Sequence, residues 1–478
     1  MRLLVFLLGF LLCQNALAQD IVYSEPVPFD FQNGDFSVVG KVESHIYTYR
    51  ATSKGYFLEA LNDQMQLEYR IHLDFFPDKI YETKFIIRDN QIIVLYQGVE
   101  NKVLTQYAAL LDKNARLIKG PVKIVDTKIG LFGKNKDRFS SVISQDKNVM
   151  AVYEAQFTDE GLLVHATWMS GQLEKLGQSS VIFKDAQTDE MATVTLFNSA
   201  QLFLSFNDNK KGNPDNGFDF LQMVPQSNTP VFFNFNLNGK FAGDYYTKAD
   251  EENGRLYIGG LFSDSKKGNP SGLLFSYLNL STKTFEHQRF YNFDQTLQNS
   301  GSGRFHKKFF NDFKIKQMVV KNDGGFVLMA EKFFVNSRLQ GGGGFNSYYG
   351  NPMMSRSTRE YNYGDIFIIS INSEGQKDWH QFIQKDQVTY EDGGVFSSFG
   401  LFNTGSELAF LYNDFRNRAA SIVVSTINGD GKTDQMVINT VGNREPNWLP
   451  RSSQQISNKT IIVPCIKGSK INFAKVSF

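Results

Sequence analysis

Cysteine is almost missing from this chain, with two residues in 478. That excludes a disulfide-stapled scaffold and any zinc site built on several thiolates. Tryptophan is scarce as well, at three. No charge sign dominates: 50 Lys and Arg stand against 49 Asp and Glu, a formal net charge of +1. So balanced a chain lacks the basic field that nucleic acid or an anionic lipid surface would select, and neither is expected as a partner. Beyond the N-terminus no apolar run is long enough to form a transmembrane helix. Helical periodicity is nearly absent. What is plentiful is Phe and Tyr, 44 and 20, in a chain that is 41% hydrophobic. That composition argues against disorder.

The motifs of common chemistries are missing too. The six histidines, at 45, 72, 165, 287, 306 and 380, show no metal-ligand spacing, so no metal and no cofactor is expected. There is no Gly-x-Ser-x-Gly elbow, and the glycine run 341–344 leads into Phe345 where a phosphate loop needs Lys-Ser/Thr. His306 sits in a basic stretch, Arg304 to Lys308, that reads as a solvated connector.

The first 18 residues have the layout of a secretory signal. Arg2 supplies the positive start, residues 3–13 the apolar stretch, and Ala16-Leu17-Ala18 the small-x-small cleavage site. A lipoprotein signal on Cys13 is the rival, disfavoured because Leu12 stands where a small residue is required. The expectation is an exported protein of the periplasm, cell surface or extracellular space, with a single domain over residues 19–478. Cys465 is then the sole thiol. It lies in Ile461-Ile462-Val463-Pro464-Cys465-Ile466 with no histidine placed to activate it, and reads as a buried small hydrophobe.

Short apolar runs bounded by Asn, Asp, Gly and Lys recur along the rest of the chain, the signature of strands and turns. Residues 91–96, 365–370 and 421–424 are continuous and β-branched, which suits strands buried on both faces; residues 68–73 alternate, which suits a half-exposed strand. Repeats organise these strands. Lys210-Lys211-Gly212-Asn213-Pro214 returns 56 residues later as Lys266-Lys267-Gly268-Asn269-Pro270. Ile371-Asn372-Ser373-Glu374-Gly375 and Ile427-Asn428-Gly429-Asp430-Gly431 are also 56 apart. The most apolar strands lie near 45, 91, 148, 201, 256, 325, 408 and 460. Four strands per unit fit residues 84–88, 91–97, 104–111 and 121–125. The fold class expected is therefore all-β, a β-propeller of eight blades, with seven as the alternative. The last unit, from residue 459, lacks an outer strand, and Ile21-Val22-Tyr23 can supply it and close the ring. An outer-membrane barrel is disfavoured because its strands must alternate, and paired sandwiches because no linker interrupts the repeat.

Asp323-Gly324-Gly325 opening an apolar strand, then 364–375 ending in Asn372-Ser373-Glu374-Gly375, then Trp379, resembles one unit of a bacterial propeller repeat. The chain is also similar in layout to exported β-propeller proteins of Bacteroidota. The resemblance implies fold and compartment and carries no catalytic residue. Asn428 to Asp434 hints at a calcium loop, but Lys432 opposes an ion there and the matching stretch at 372–375 argues for a plain turn.

One insertion stands out, residues 336–364 of the sixth unit. It holds Tyr348, Tyr349, Tyr361 and Tyr363 with Arg356 and Arg359, residue types that make adaptable contact surfaces. The two Lys-Lys-Gly-Asn-Pro loops occupy the same position in units 4 and 5, placing Lys210, Lys211, Lys266 and Lys267 on the same rim. The expected role is binding of a protein or glycan partner through these ten residues, without catalysis. The rivals are a glycan- or peptide-active enzyme with acids in a central pocket, and a membrane barrel component. The aromatic excess, including Phe85, Tyr96, Phe203, Phe232, Phe367 and Phe410, is expected in the core between blades.

Overall fold

Runs of β-branched and aromatic residues separated by Asn, Asp and Gly leave little choice but short strands and tight turns. The computed structural model describes residues 20–31, 33–128, 139–184, 191–208, 217–266, 268–293, 310–339, 357–416, 420–440 and 445–478. These residues form eight antiparallel sheets arranged in a ring, an eight-bladed β-propeller.

Blade 1 comprises Asp35–Val42, His45–Thr52, Gly55–Leu61 and Leu67–His72. Blade 2 comprises Ile80–Arg88, Gln91–Glu100, Val103–Leu111 and Leu117–Lys128, the four strands expected there, each longer than its apolar run. Blade 3 runs from Ser140–Ile143 to Lys175–Phe183, blade 4 from Thr193–Leu196 to Val231–Asn236, and blade 5 from Phe241–Asp250 to Thr284–Asn292. Blade 6 is built from Phe313–Val320, Phe326–Leu339, Ser357–Ile371 and Lys377–Ile383, and blade 7 runs from Phe399–Asn403 to Thr433–Thr440. Each of the eight apolar markers falls at the second strand of a blade, because that strand is buried on both sides by its neighbours. Outer strands are wetter. Leu67–His72 alternates, and Thr433–Thr440 is largely exposed.

Blade 8 joins the ends of the chain. Thr460–Lys467 pairs with Lys470–Ser477, which pairs with Asp20–Tyr23 in the register Asp20 to Ser477 and Tyr23 to Ala474. Ser24 then locks the closure: its N–H donates to the Phe473 carbonyl at 2.8 Å, and its Oγ accepts from the Phe473 N–H at 2.9 Å. Buried apolar clusters fill every seam of the ring, including blade 8 against blade 1 through Phe29, Ile46, Ile471 and Phe473. Burial of this kind stabilises by roughly 25 cal/mol per Å² of apolar surface, and at every seam it ties neighbouring blades together. Cys465 is fully buried in the seam of blades 7 and 8. Most of the aromatic excess is core, as expected. Phe232 is the correction: it lies exposed on the outer strand of blade 4, where only one face meets a neighbour.

The hairpin turns share one device. At the third-to-fourth strand turns of blades 1, 2, 6 and 7, Asn62, Asp112, Asn372 and Asn428 each accept from the backbone N–H groups two and four residues on. Asn428 therefore spends its side-chain oxygen on a turn, as its kinship with Asn372 suggested. Gly431 sits at φ +77° with the Trp379 ring where a Cβ would be, and Trp379 Nε1 donates to the Gly429 carbonyl at 2.8 Å. The Asp-Gly-Gly repeat's Trp thus docks on the glycine turn of the next blade.

Candidate functional site

Seven blades have strands of twelve residues or fewer, but the middle strands of blade 6 run to 14 and 15. They stay paired beyond the sheet, from Phe333 opposite Tyr363 to Leu339 opposite Ser357, across a bulge at Glu331/Phe333. A third strand, Gln387–Tyr390, comes from the connector to blade 7 and pairs with Glu360–Tyr363. The result is a three-stranded ribbon raised above the face on which second-to-third strand turns open.

Hydrogen-bond phase fixes what its outer edge offers. The Glu391 N–H donates to the Arg359 carbonyl at 3.1 Å, so 391, 389 and 387 are the bonded positions facing 359, 361 and 363. Val388 and Tyr390 therefore direct their backbone N–H and C=O away from the ribbon. Their side chains are 37% and 55% exposed, and Val335 on the opposite edge strand is 44% exposed. Asp386 and Glu391 flank this edge, and both are exposed.

Below the ribbon lies a buried charge cluster. Glu331 and Lys385 are fully buried and 2.8 Å apart. Glu331 also lies 3.4 Å from Lys316 and accepts from Ser398 Oγ at 2.7 Å. Lys385 Nζ donates to Gln387 Oε1 at 2.8 Å, and its backbone N–H donates to Asp365 Oδ1 at 3.2 Å. Burial pushes the Lys385 ammonium below the usual lysine range, opposed by Glu331. Gln387 ties the cluster to blade 7 by donating to the Asn413 carbonyl at 2.7 Å. Such a network fixes geometry, since each group left unmatched would be costly. Two carboxylates, Glu331 and Asp365, do converge, but on a buried lysine that engages both.

Three of the ten expected contact residues lie on or under the ribbon. Arg359 is exposed, and its N–H donates to Glu391 Oε1. Tyr361 is half-buried at mid-strand. Tyr363 is buried: its ring lies tilted against Phe333 with centroids 4.6 Å apart, its hydroxyl accepts from Arg451 Nη1 at 3.1 Å, and burial raises its pKa. In this structure it anchors the ribbon's root. Lys266 is exposed in the second-to-third strand loop of blade 5. Lys210, Lys211, Lys267, Tyr348, Tyr349 and Arg356 lie outside the described residues. The stretch 336–364 is thus strand at both ends, which the polar composition of Asn336 to Arg338 and Arg359 to Asn362 concealed. Glu331 carried a readable signal, a charge inside a doubly apolar strand; Lys385 and the strand Gln387–Tyr390 carried none. Among the described residues no three His, Cys, Asp or Glu side chains are grouped to hold a metal, and no helix is long and apolar enough to cross a membrane.

No family model matches the sequence, and no curated protein matches it. Among solved structures the chain is similar to a polysaccharide lyase of family PL25, an ulvan lyase, at 9% identity over 81% of this chain and 90% of that one, with a TM-score of 0.38. It is similar to an oligogalacturonate lyase in complex with manganese at 10% identity, covering 96% and 98%, with a TM-score of 0.39. Prolyl oligopeptidase B from Galerina marginata matches at 11% identity over 90% of this chain and 55% of that one, with a TM-score of 0.41. At such identities the likeness is one of fold.

Proposed function

We propose that this protein is an exported binding module that holds a protein partner on the blade 6 ribbon. The observation that carries this reading is the open edge of Gln387–Tyr390. Two residues there present backbone groups unpaired among the described residues, together with exposed Val and Tyr side chains. An edge of this kind is a template for an extended segment of another chain, which gains main-chain hydrogen bonds and seats alternate side chains. Asp386 and Glu391 favour a segment carrying Lys or Arg. The buried Glu331–Lys385 pair holds the edge rigid, so little ordering entropy is lost on docking.

Val388→Pro tests the reading. Proline at an outward-facing position leaves the ribbon's own ladder intact and removes one outward donor. A partner captured by the wild-type protein from its native cell envelope should be lost from Val388→Pro while the thermal midpoint holds. Capture of the same partner by both proteins would refute edge docking, and capture that survives protease but not glycosidase treatment would assign the surface to a glycan.

A further inference from the structure

A second site lies at the seam where the closing N-terminal segment passes from blade 8 into blade 1. A cleft of about 500 Å³ opens there, walled by Val27 to Asp30 on one side and by Thr52 to Lys54 of blade 1 on the other. At its base two arginines share one carboxylate. Arg50 grips Glu59 through Nε at 2.8 Å and Nη2 at 2.5 Å, and Arg70 reaches the same carboxylate through Nε at 2.7 Å and Nη2 at 2.6 Å. Arg50 and Glu59 are buried, whereas the Arg70 side chain is 40% exposed. Arg50 spends its Nη1 on the Pro28 carbonyl at 3.4 Å.

The charge count is uneven. Two guanidiniums face one carboxylate, so the base retains an excess positive charge, and Lys54 adds another at the mouth. Asp30 is the opposing acid on the wall, and it accepts from Asn33 Nδ2 at 2.9 Å. Among the described residues neither Arg70 Nη1 nor Lys54 Nζ has a hydrogen-bond or ion partner. The Phe57 ring lines the cleft beneath the Arg70 guanidinium, 5.6 Å from its centroid. Guanidinium donors in a half-desolvated cleft select a planar oxyanion, since the fork matches a carboxylate.

We propose that this cleft binds a small carboxylate-bearing ligand, its carboxylate seated on Arg70 and Lys54 and its body against Phe57. The site is separate from the blade 6 ribbon and does not depend on it. Because the N-terminal segment forms one wall, the bound ligand bridges the closure of the ring and stabilises the folded state by mass action.

Isothermal titration with three probes tests this: D-glucuronate and N-acetyl-L-glutamate, which carry the carboxylate on a sugar and on an amino acid, and neutral D-glucose. At least one carboxylate should bind, raise the thermal midpoint and weaken as salt increases, and glucose should not bind. The carboxylate that binds identifies the carrier. Lys54→Met and Arg70→Met should each weaken binding roughly tenfold, the loss of one charge-assisted contact. Arg70 is half-exposed and Arg50 keeps Glu59 paired, so the fold should survive; Lys54→Met, at an exposed turn, serves as the second variant. The proposal is overturned if neither carboxylate binds at about 10 mM, a threshold of weak affinity, if glucose binds equally, or if both variants retain wild-type affinity.

Discussion

Replacing Lys385 with Met leaves Glu331 buried beneath the ribbon without its closest cation. Lys385 Nζ lies 2.8 Å from Glu331 Oε1, and both side chains are wholly enclosed. Breaking a buried pair from one side costs roughly 3–5 kcal/mol, because the remaining charge is desolvated and unmatched. Two contacts persist, Ser398 Oγ at 2.7 Å and Lys316 at 3.4 Å. Lys316 is 31% exposed and therefore partly screened. The expected loss for Lys385→Met is thus at the lower end, about 3 kcal/mol. A chain of this length unfolds with an entropy near 1 kcal/mol per kelvin, so the midpoint should fall by only about 3 °C. Denaturant titration resolves that loss better than heating. The double variant Glu331→Met/Lys385→Met removes both charges and should be more stable than Lys385→Met alone. A Lys385→Met midpoint equal to wild type, or a double variant costing the sum of the two singles, would show that the two buried charges are not coupled.

Three further outcomes follow from the closure and the core. Tyr23→Phe removes the hydroxyl that accepts from Trp448 Nε1 at 3.3 Å and Asn439 Nδ2 at 3.2 Å, and should cost about 1 kcal/mol in urea unfolding. Cys465 is fully buried, and burial pushes its thiol well above the usual range. In a Cys13→Ser chain, labelling by a thiol reagent should therefore track unfolding of blade 8, and rapid labelling of the native protein would contradict the closure. Burial raises Tyr23 to about 12, and Tyr47, Tyr49, Tyr96 and Tyr245 upward as well. An acid whose pKa is raised by folding contributes fully below its unfolded value and loses that contribution as pH rises through the folded one. The contribution of these tyrosines to stability should accordingly be constant below about pH 10 and fall toward pH 12, followed by tyrosinate absorbance.

The ring was legible because its physics is local. A strand buried on both faces must be apolar throughout, so the eight second strands stood out, and a last unit lacking an outer strand pointed to Ile21–Tyr23. The turns were legible for the same reason, since an Asn side chain caps its own turn at 372 and at 428. The ribbon was not legible. Its strands face solvent on at least one side, so Asn336, Ser337 and Asn362 read as loop although they carry a regular ladder. Tyr363 looked like a contact residue because composition cannot tell a tyrosine whose hydroxyl is met by Arg451 from one turned to a ligand. The carboxylate shared by Arg50 and Arg70 is a tertiary meeting of three strands in blade 1, and no spacing announces it.

Hydrogen exchange at the amides of Val388 and Tyr390, in the protein alone and with its captured partner, reports directly on whether this edge is the docking site. Both amides should exchange fast in the isolated protein, with Thr389 protected by its ribbon bond, and both should be strongly protected when the partner docks. Protection of Val388 and Tyr390 in the protein alone, or exchange unchanged by the partner, would contradict docking at this edge.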